Sequence, residues 1–207
     1  MKDYLIEVAR NGIRFTTIGL GLLDIFEQVN KVILLSGKRW VIAHPKRIGP
    51  AEIDLIQKLG IVLTIHANQH IHDMPIEEIA AADENEIVPI KSPMDAGIHV
   101  ALSTDNVPTS MFNPLWLSVA RKNRYRPNPL APGQAISRQA ALKASTLEGS
   151  YLTFEENIRG SIEAGKLADL TVLSKDPLSC PEDGLREIRA ELTMVGGKIT
   201  HQDGTIG

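Results

Sequence analysis

A single cysteine, Cys180, means that no disulfide can form within the chain; this fits a reducing compartment and sets the expectation of a cytoplasmic protein. An excess of basic charge is also missing: 22 Lys and Arg stand against 25 Asp and Glu, a net charge of −3. That balance leaves no electrostatic footprint for nucleic acid or an anionic membrane surface, and neither is expected as a partner. No stretch approaches the ~20 apolar residues of a membrane span. The start, "MKDYLIEVARNG", scatters charges where a secretory signal needs an apolar run. Internal repeats and low-complexity tracts are absent. What is there is an ordinary globular composition, 43% hydrophobic and 23% charged over 207 residues, enough for one sizeable core or two small ones.

Apolar runs and helical periodicity alternate along the first three quarters of the chain. "IRFTTI" (13–18) reads as a strand, followed by "LGLLDIFEQVN", where Leu22, Leu23, Phe26 and Val29 share a helical face. "WVIAH" (40–44) is a second, buried strand. In "GPAEIDLIQKLG", Pro50 suits the first helical turn, Ile53, Ile56 and Leu59 share a face, and Gly60 suits the residue beyond the end. "IVLTIH" (61–66) is the third strand, "PIEEIAAAD" a short helix, and "IHVALSTD" the fourth strand, stopped by Asn106 and Pro108. "PLWLSVARK" and "SRQAALKASTLEGSYLTF" are helical, the second with Ser137 as N-cap. Strands alternating with helices in this way predict parallel β/α units. After Phe154 the texture changes to turn glycines, a buried strand at 170–173, and two short strands in "AELTMVGGKIT" about a Gly196-Gly197 turn. The expected division is 1–155 and a small β annex, 156–207, packed together without a linker.

The strand ends carry the chemistry. In "ALSTDNVPTS" a lone carboxylate, Asp105, stands at the lip of a buried strand with no basic residue nearby to pair it. His44 and His66 close the second and third strands. In parallel β/α architectures the C-terminal strand ends share one side, so two imidazoles and a carboxylate would converge on one mouth. That donor set suits zinc and similar divalent metals, and a metal would explain the unpaired Asp105. For any one histidine a hydrogen-bonded place at the core margin is the competing explanation. His70 and His72 in "QHIHD" read as a solvated loop rather than a metal loop, and "RKNRYRPNP" (121–129) as a solvated crossover. Cys180 has no nearby His or Lys to activate it, and the lone "GxG" at Gly19 and Gly21 is too weak for a dinucleotide turn.

These residues carry a resemblance. "ALKASTLEGSYLTFEENIRGSIEAGKLADLTVLSKDPLS" is similar to the C-terminal stretch of amidohydrolase-superfamily enzymes, most of all the branch of N-substituted formamide deformylase-like metal-dependent hydrolases. "STDNVPTSMFNPLWLSVARK" resembles the family's segment after barrel strand eight, and "VIAHPKRIGPAEIDLIQKLGI" its strand-six segment. "GIRFTTIGLGLLDIFEQVNK" resembles the strand-five segment, whose usual form is "HAIGD". The resemblance runs over roughly residues 10 to 204. It implies an α/β fold: a partial TIM (β/α) barrel of about strands five to eight with a small C-terminal β-sandwich annex. It also implies a metal-dependent hydrolase acting on a carbon–nitrogen bond that is not a peptide bond, with a small amide-type molecule as substrate and a divalent metal, zinc, as cofactor. Asp105 then holds or faces the metal and moves the proton from its water to the leaving nitrogen, and His44 is a metal ligand. His66, Gln69 or His70 would face substrate, with His66 and His70 preferred.

The departures are as specific as the match. The "HAIGD" histidine falls at Thr16, and the Glu before the strand-six histidine at Ala43. The family's strand-one "HxH" ligands and its strand-four ligand would lie before residue 1. With His44 and Asp105 as the ligands that can be assigned, the chain alone is expected to hold zinc weakly or not at all and to be inactive. A truncated or catalytically inactive remnant with a structural or oligomerising role is the alternative. The open flanks of a half-barrel would then be covered by a second copy, a separate N-terminal half or another neighbour.

Overall fold

The computed structural model describes residues 1–81, 83–105 and 109–204. The side chain of Gln69, and Asn106 and Pro108 named above, lie outside the described residues. Helix α1 (Lys2–Arg10) leads into a parallel sheet of order β1-β2-β3-β4, comprising β1 (Thr16–Ile18), β2 (Val41–Ala43), β3 (Val62–His66) and β4 (Val100–Ser103). Parallel neighbours need crossover connections, and helices supply them. These are α2 (Leu23–Asn30) after β1, α3 (Pro50–Leu59) after β2, and α4 (Ile76–Ala80) with α5 (Lys91–Asp95) between β3 and β4. After β4 come α6 (Phe112–Ala120), α7 (Arg138–Ser145) and α8 (Leu147–Leu152). The register is regular: Thr17 beside Ile42, Ile42 beside Leu63, His66 beside Ser103.

The strands are continuous apolar runs because both faces of the central ones are covered. All of β2 is buried. Each helix turns its expected face inward, Leu23, Phe26 and Val29 of α2 and Ile53, Ile56 and Leu59 of α3 being buried. Pro50 opens α3, and Gly60 closes it at φ 65°, a left-handed conformation that costs glycine little. Trp40 is wholly buried against Phe26, ring centroids 5.1 Å apart. The amino-terminal stretch, read above only as charged, is helical because Leu5 and Ala9 repeat at helical spacing, and both are fully buried.

The long helix expected over 137–154 is two helices. Ser137 caps α7 as expected, its Oγ accepting from the Ala140 N–H at 3.1 Å. At Thr146 the backbone leaves the helical region (φ −130°, ψ −81°). The hydroxyls of Ser145 and Thr146 donate to the carbonyls of Ala141 and Leu142, both at 2.8 Å, an arrangement that competes with helix continuation. The break lets Glu148 sink beside His99 at 2.7 Å.

Among the described residues the annex is one three-stranded antiparallel sheet: β5 (Leu170–Leu173), β6 (Ala190–Val195) and β7 (Lys198–Gln202). The Gly196-Gly197 turn joins β6 to β7 with both glycines at positive φ, as a tight hairpin demands. The strand at 170–173, expected to be buried, is not: Thr171 and Val172 are exposed, as is the whole of β7. The segment between β5 and β6 packs on α6 instead. There Leu185 and Ile188 join the main core, and the Trp116 indole N–H donates to Asp183 at 3.2 Å.

Candidate metal centre at the strand ends

The C-terminal ends of β2, β3 and β4 place His44, His66 and Asp105 together, as the sequence pattern anticipated. Each of the three offers one ligand atom, and those atoms lie within 4.8 Å of one another. His44 and Asp105 share an unusual backbone state: φ is +55° and +56°, a left-handed conformation disfavoured for residues with a Cβ. In each case it turns the chain off the end of the strand. The His44 N–H still donates to the Thr64 carbonyl at 3.0 Å, so the turn begins from a fixed point on β3.

His66, the last residue of β3, is only 2% exposed. Its ring stands edge-on to that of His44, with centroids 5.3 Å apart, and the His70 ring centroid also lies 5.3 Å away, its plane tilted by 57°. Its Nδ1 is 3.5 Å from the Asp105 Oδ2. Burial pushes the His66 pKa below the usual histidine value, with Asp105 opposing the shift and His44 adding to it. Burial, followed by His66 and Lys46, lowers that of His70 to about 4. Both imidazoles are therefore neutral at neutral pH, the form that can ligate a metal.

Three buried ring nitrogens have no hydrogen-bond partner among the described residues: His44 Nδ1, His66 Nε2 and His70 Nδ1. Orphaned buried polar atoms are rare unless something else satisfies them. A divalent ion fits in kind: two imidazoles and a carboxylate are a zinc-type donor set. It fits more loosely in spacing, since ligand atoms ~2.1 Å from one tetrahedral ion stand roughly 3.4 Å apart. The largest separation here is 4.8 Å, so side chains must close by roughly an ångström to hold an ion.

The sequence reading gave His66 a substrate-facing role; the structure brings it into the same cluster as His44 and Asp105. His70 flanks them. It gets there because "QHIHD" is not a solvated loop: Asn68–His72 forms a π turn, and Ile71 is wholly buried. Asn123 holds that turn by donating to the carbonyls of Ile71 (2.8 Å) and Met74 (2.9 Å). His72 points elsewhere, its Nδ1 lying 3.3 Å from the Lys122 carbonyl. The basic run is not a solvated crossover at its start either. Arg121 is fully buried, and its guanidinium donates to the carbonyls of Ile87, Val88 and Leu130, each at 2.9 Å. Burial lowers its pKa to about 10, which leaves it charged at neutral pH. Thr16, where the resemblance expects a histidine, lies exposed at the start of β1.

Sequence reasoning missed Asn68, Asn113 and Lys46. Asn68 is buried two residues after His66, and Lys46 follows His44 by two into a cavity of ≈ 450 Å³ lined also by His70 and Arg124. The one sequence signal for Asn68 and Lys46 is that they are polar residues just beyond strand ends; Asn113, in the first turn of α6, carries none.

Comparison with known proteins gives the frame for this geometry. The model of the family described as "Amidohydrolase family" matches residues 8–201. The N-substituted formamide deformylase of Arthrobacter pascens is 34% identical over 120 residues, which are 56% of this chain and 22% of that protein. An uncharacterized metal-dependent hydrolase from Pyrococcus horikoshii superimposes with a TM-score of 0.69 at 21% identity, over 88% of this chain and 39% of that one. An adenosine deaminase from Xanthomonas campestris, solved with bound zinc, gives 0.66 at 17% identity, over 97% of this chain and 48% of that one. At such identities the solved structures speak for the fold alone. The chain spans under half the length of these solved structures and about a fifth of the deformylase.

Proposed function

The chain belongs to the amidohydrolase family, and from that premise we propose that it carries part of the active site of a hydrolase acting on a carbon–nitrogen bond other than a peptide bond. The four parallel strands are read as strands five to eight of a (β/α) barrel, with the three-stranded sheet as part of a β-sandwich annex. The observation that carries the proposal is the convergence of His44, His66 and Asp105 at the strand ends, with two imidazole nitrogens buried and without a partner among the described residues.

His44, His66 and Asp105 would hold a divalent ion, with zinc favoured by the donor set and by the zinc in the Xanthomonas campestris relative. Such an ion would supply the Lewis acidity that lowers the pKa of water, so that hydroxide is available at neutral pH to attack an amide-type carbon. Asp105 is the proton acceptor and then the donor to the leaving nitrogen. Its side chain is 44% exposed, so it reaches the solvent side where substrate enters. His70, neutral, with an Nδ1 that has no partner among the described residues, and lining the cavity, would hydrogen-bond the substrate's carbonyl oxygen. Lys46 lines the same cavity and would meet the distal part of a small amide-type molecule.

A second reading, a metal-free structural or oligomerising role, is favoured by Thr16 at the β1 position and by the 4.8 Å spread of the donors. Zinc titration into the chelator-treated chain separates the two. One zinc per chain, lost in both His44→Ala and His66→Ala, upholds the metal centre. Binding that neither change weakens, or no binding at all, leaves the second reading.

A further inference from the structure

Asp105 lies two residues beyond β4, and His66 ends β3, so nothing in the strand ladder itself sets the distance between their side chains. A side-chain bridge does. Asn68, which opens the π turn after His66, donates from Nδ2 to the carbonyl of Thr104 at 3.1 Å. Asn113, in the first turn of α6, donates from its Nδ2 to the Asn68 Oδ1 at 2.8 Å. Asn68 is 4% exposed. The Thr104 carbonyl also faces the His66 ring.

We infer that Asn68 and Asn113 form a brace that positions Asp105 against His66: Asn113 fixes the Asn68 carboxamide, and Asn68 fixes the peptide that carries Asp105 into its left-handed turn. Both are positioning residues. The donor geometry argues for direction: an Asn68 with Oδ1 occupied by the Asn113 N–H must present its own N–H₂ to Thr104, so the outer bond orients the inner one. Without the inner bond the Thr104 carbonyl would lose a donor, and Asp105 would be free to leave φ +56° for the extended region that residues with a Cβ prefer. Among the described residues, the side-chain bond from the Ser103 Oγ to the Ile65 carbonyl, at 3.3 Å, would remain between the two strands.

The brace takes its functional meaning from the metal-centre reading, so its test is made first without metal. In the chelator-treated chain the imidazole ¹⁵N shifts of His66 report which ring nitrogen carries the proton. With Nδ1 facing Asp105, the parent chain is expected to show the Nδ1–H form. Asn113→Ala, which removes the outer donor, and Asn68→Asp, which keeps the shape but puts an acceptor against the Thr104 carbonyl, should both move His66 towards the Nε2–H form. Fluorescence of Trp40 and Trp116, the latter on the same helix as Asn113, checks that the fold is intact. If Asn113→Ala fails to fold, Asn68→Asp decides alone. An unmoved His66 tautomer in the folded variants overturns the brace. Cobalt titration of the same proteins then tests the centre, with affinity expected to fall about tenfold to a hundredfold in the variants. A tautomer shift in a chain that binds no cobalt upholds the brace and overturns the metal reading. Cobalt binding with an unmoved tautomer does the reverse.

Discussion

The Nδ1 of His66 and the Oδ2 of Asp105 lie 3.5 Å apart although the two residues come from different strands, the imidazole almost fully buried and the carboxylate nearly half exposed. One group faces the core and the other faces water. That asymmetry suits a site in which the imidazole holds a position and the carboxylate moves protons.

Asp105→Asn should separate proton transfer from packing, because it keeps the shape and removes the basic oxygen. On the proposed reading, in a full-length, zinc-loaded version that turns over a small amide-type substrate, kcat should fall by about 10²- to 10⁴-fold with little change in KM. An unchanged kcat would return Asp105 to the role of a strand-end cap.

Asp105→Gly should decouple stability from function. At φ +56° a glycine relieves the clash of Cβ, against which stands its greater freedom when unfolded. Urea denaturation is expected to show stability unchanged or raised by up to about 1 kcal/mol, while zinc affinity is lost. A loss of stability above that size would show that the carboxylate also holds the fold together.

Arg121→Met should be strongly destabilising. It removes the donor to three carbonyls, those of Ile87, Val88 and Leu130, and buried carbonyls left unpaired are costly. A loss of about 3 to 5 kcal/mol by urea denaturation is expected, with Arg121→Lys recovering part of it.

Stability should fall on acidification through the histidine range. His70 has its pKa lowered to about 4 in the folded chain, and His66 is also lowered, so between pH 6.5 and 4 the unfolded chain binds more protons than the folded one. Their contribution is fully present above the unfolded value and is lost as pH falls towards the folded one. The urea midpoint should drop across that window in the metal-free chain, and less steeply in His70→Gln. A flat profile from pH 7 to 4.5 would contradict the burial of both rings.

The β/α alternation was legible because each unit repeats a short apolar run and a helix with one apolar face, as in β2 followed by α3. The convergence of His44, His66 and Asp105 was legible for the same reason, since parallel strands bring their ends to one side. What escaped depends on partners distant in sequence. Arg121 looks solvated in a basic run, and only the three carbonyls waiting in the core explain why it is buried. Asn68 reads as an ordinary loop residue until Thr104 and Asn113 are placed beside it. The break at Thr146 is local, yet it competes with good helical periodicity on both sides.

The π turn at Asn68–His72 makes the place of His70 a matter of counting. Such a turn holds more residues than the α-helical one, so the place of each side chain depends on the number of residues as well as on their type. The in-frame loss of a single codon from this segment could keep both histidines in the gene while moving whichever one remained in reach by roughly 100° around the turn. A reader comparing family members by their residue inventories would see nothing missing. The alignment length between the end of β3 and Asn123, rather than the identity of any one residue, is what tells whether a relative still presents an imidazole beside His66.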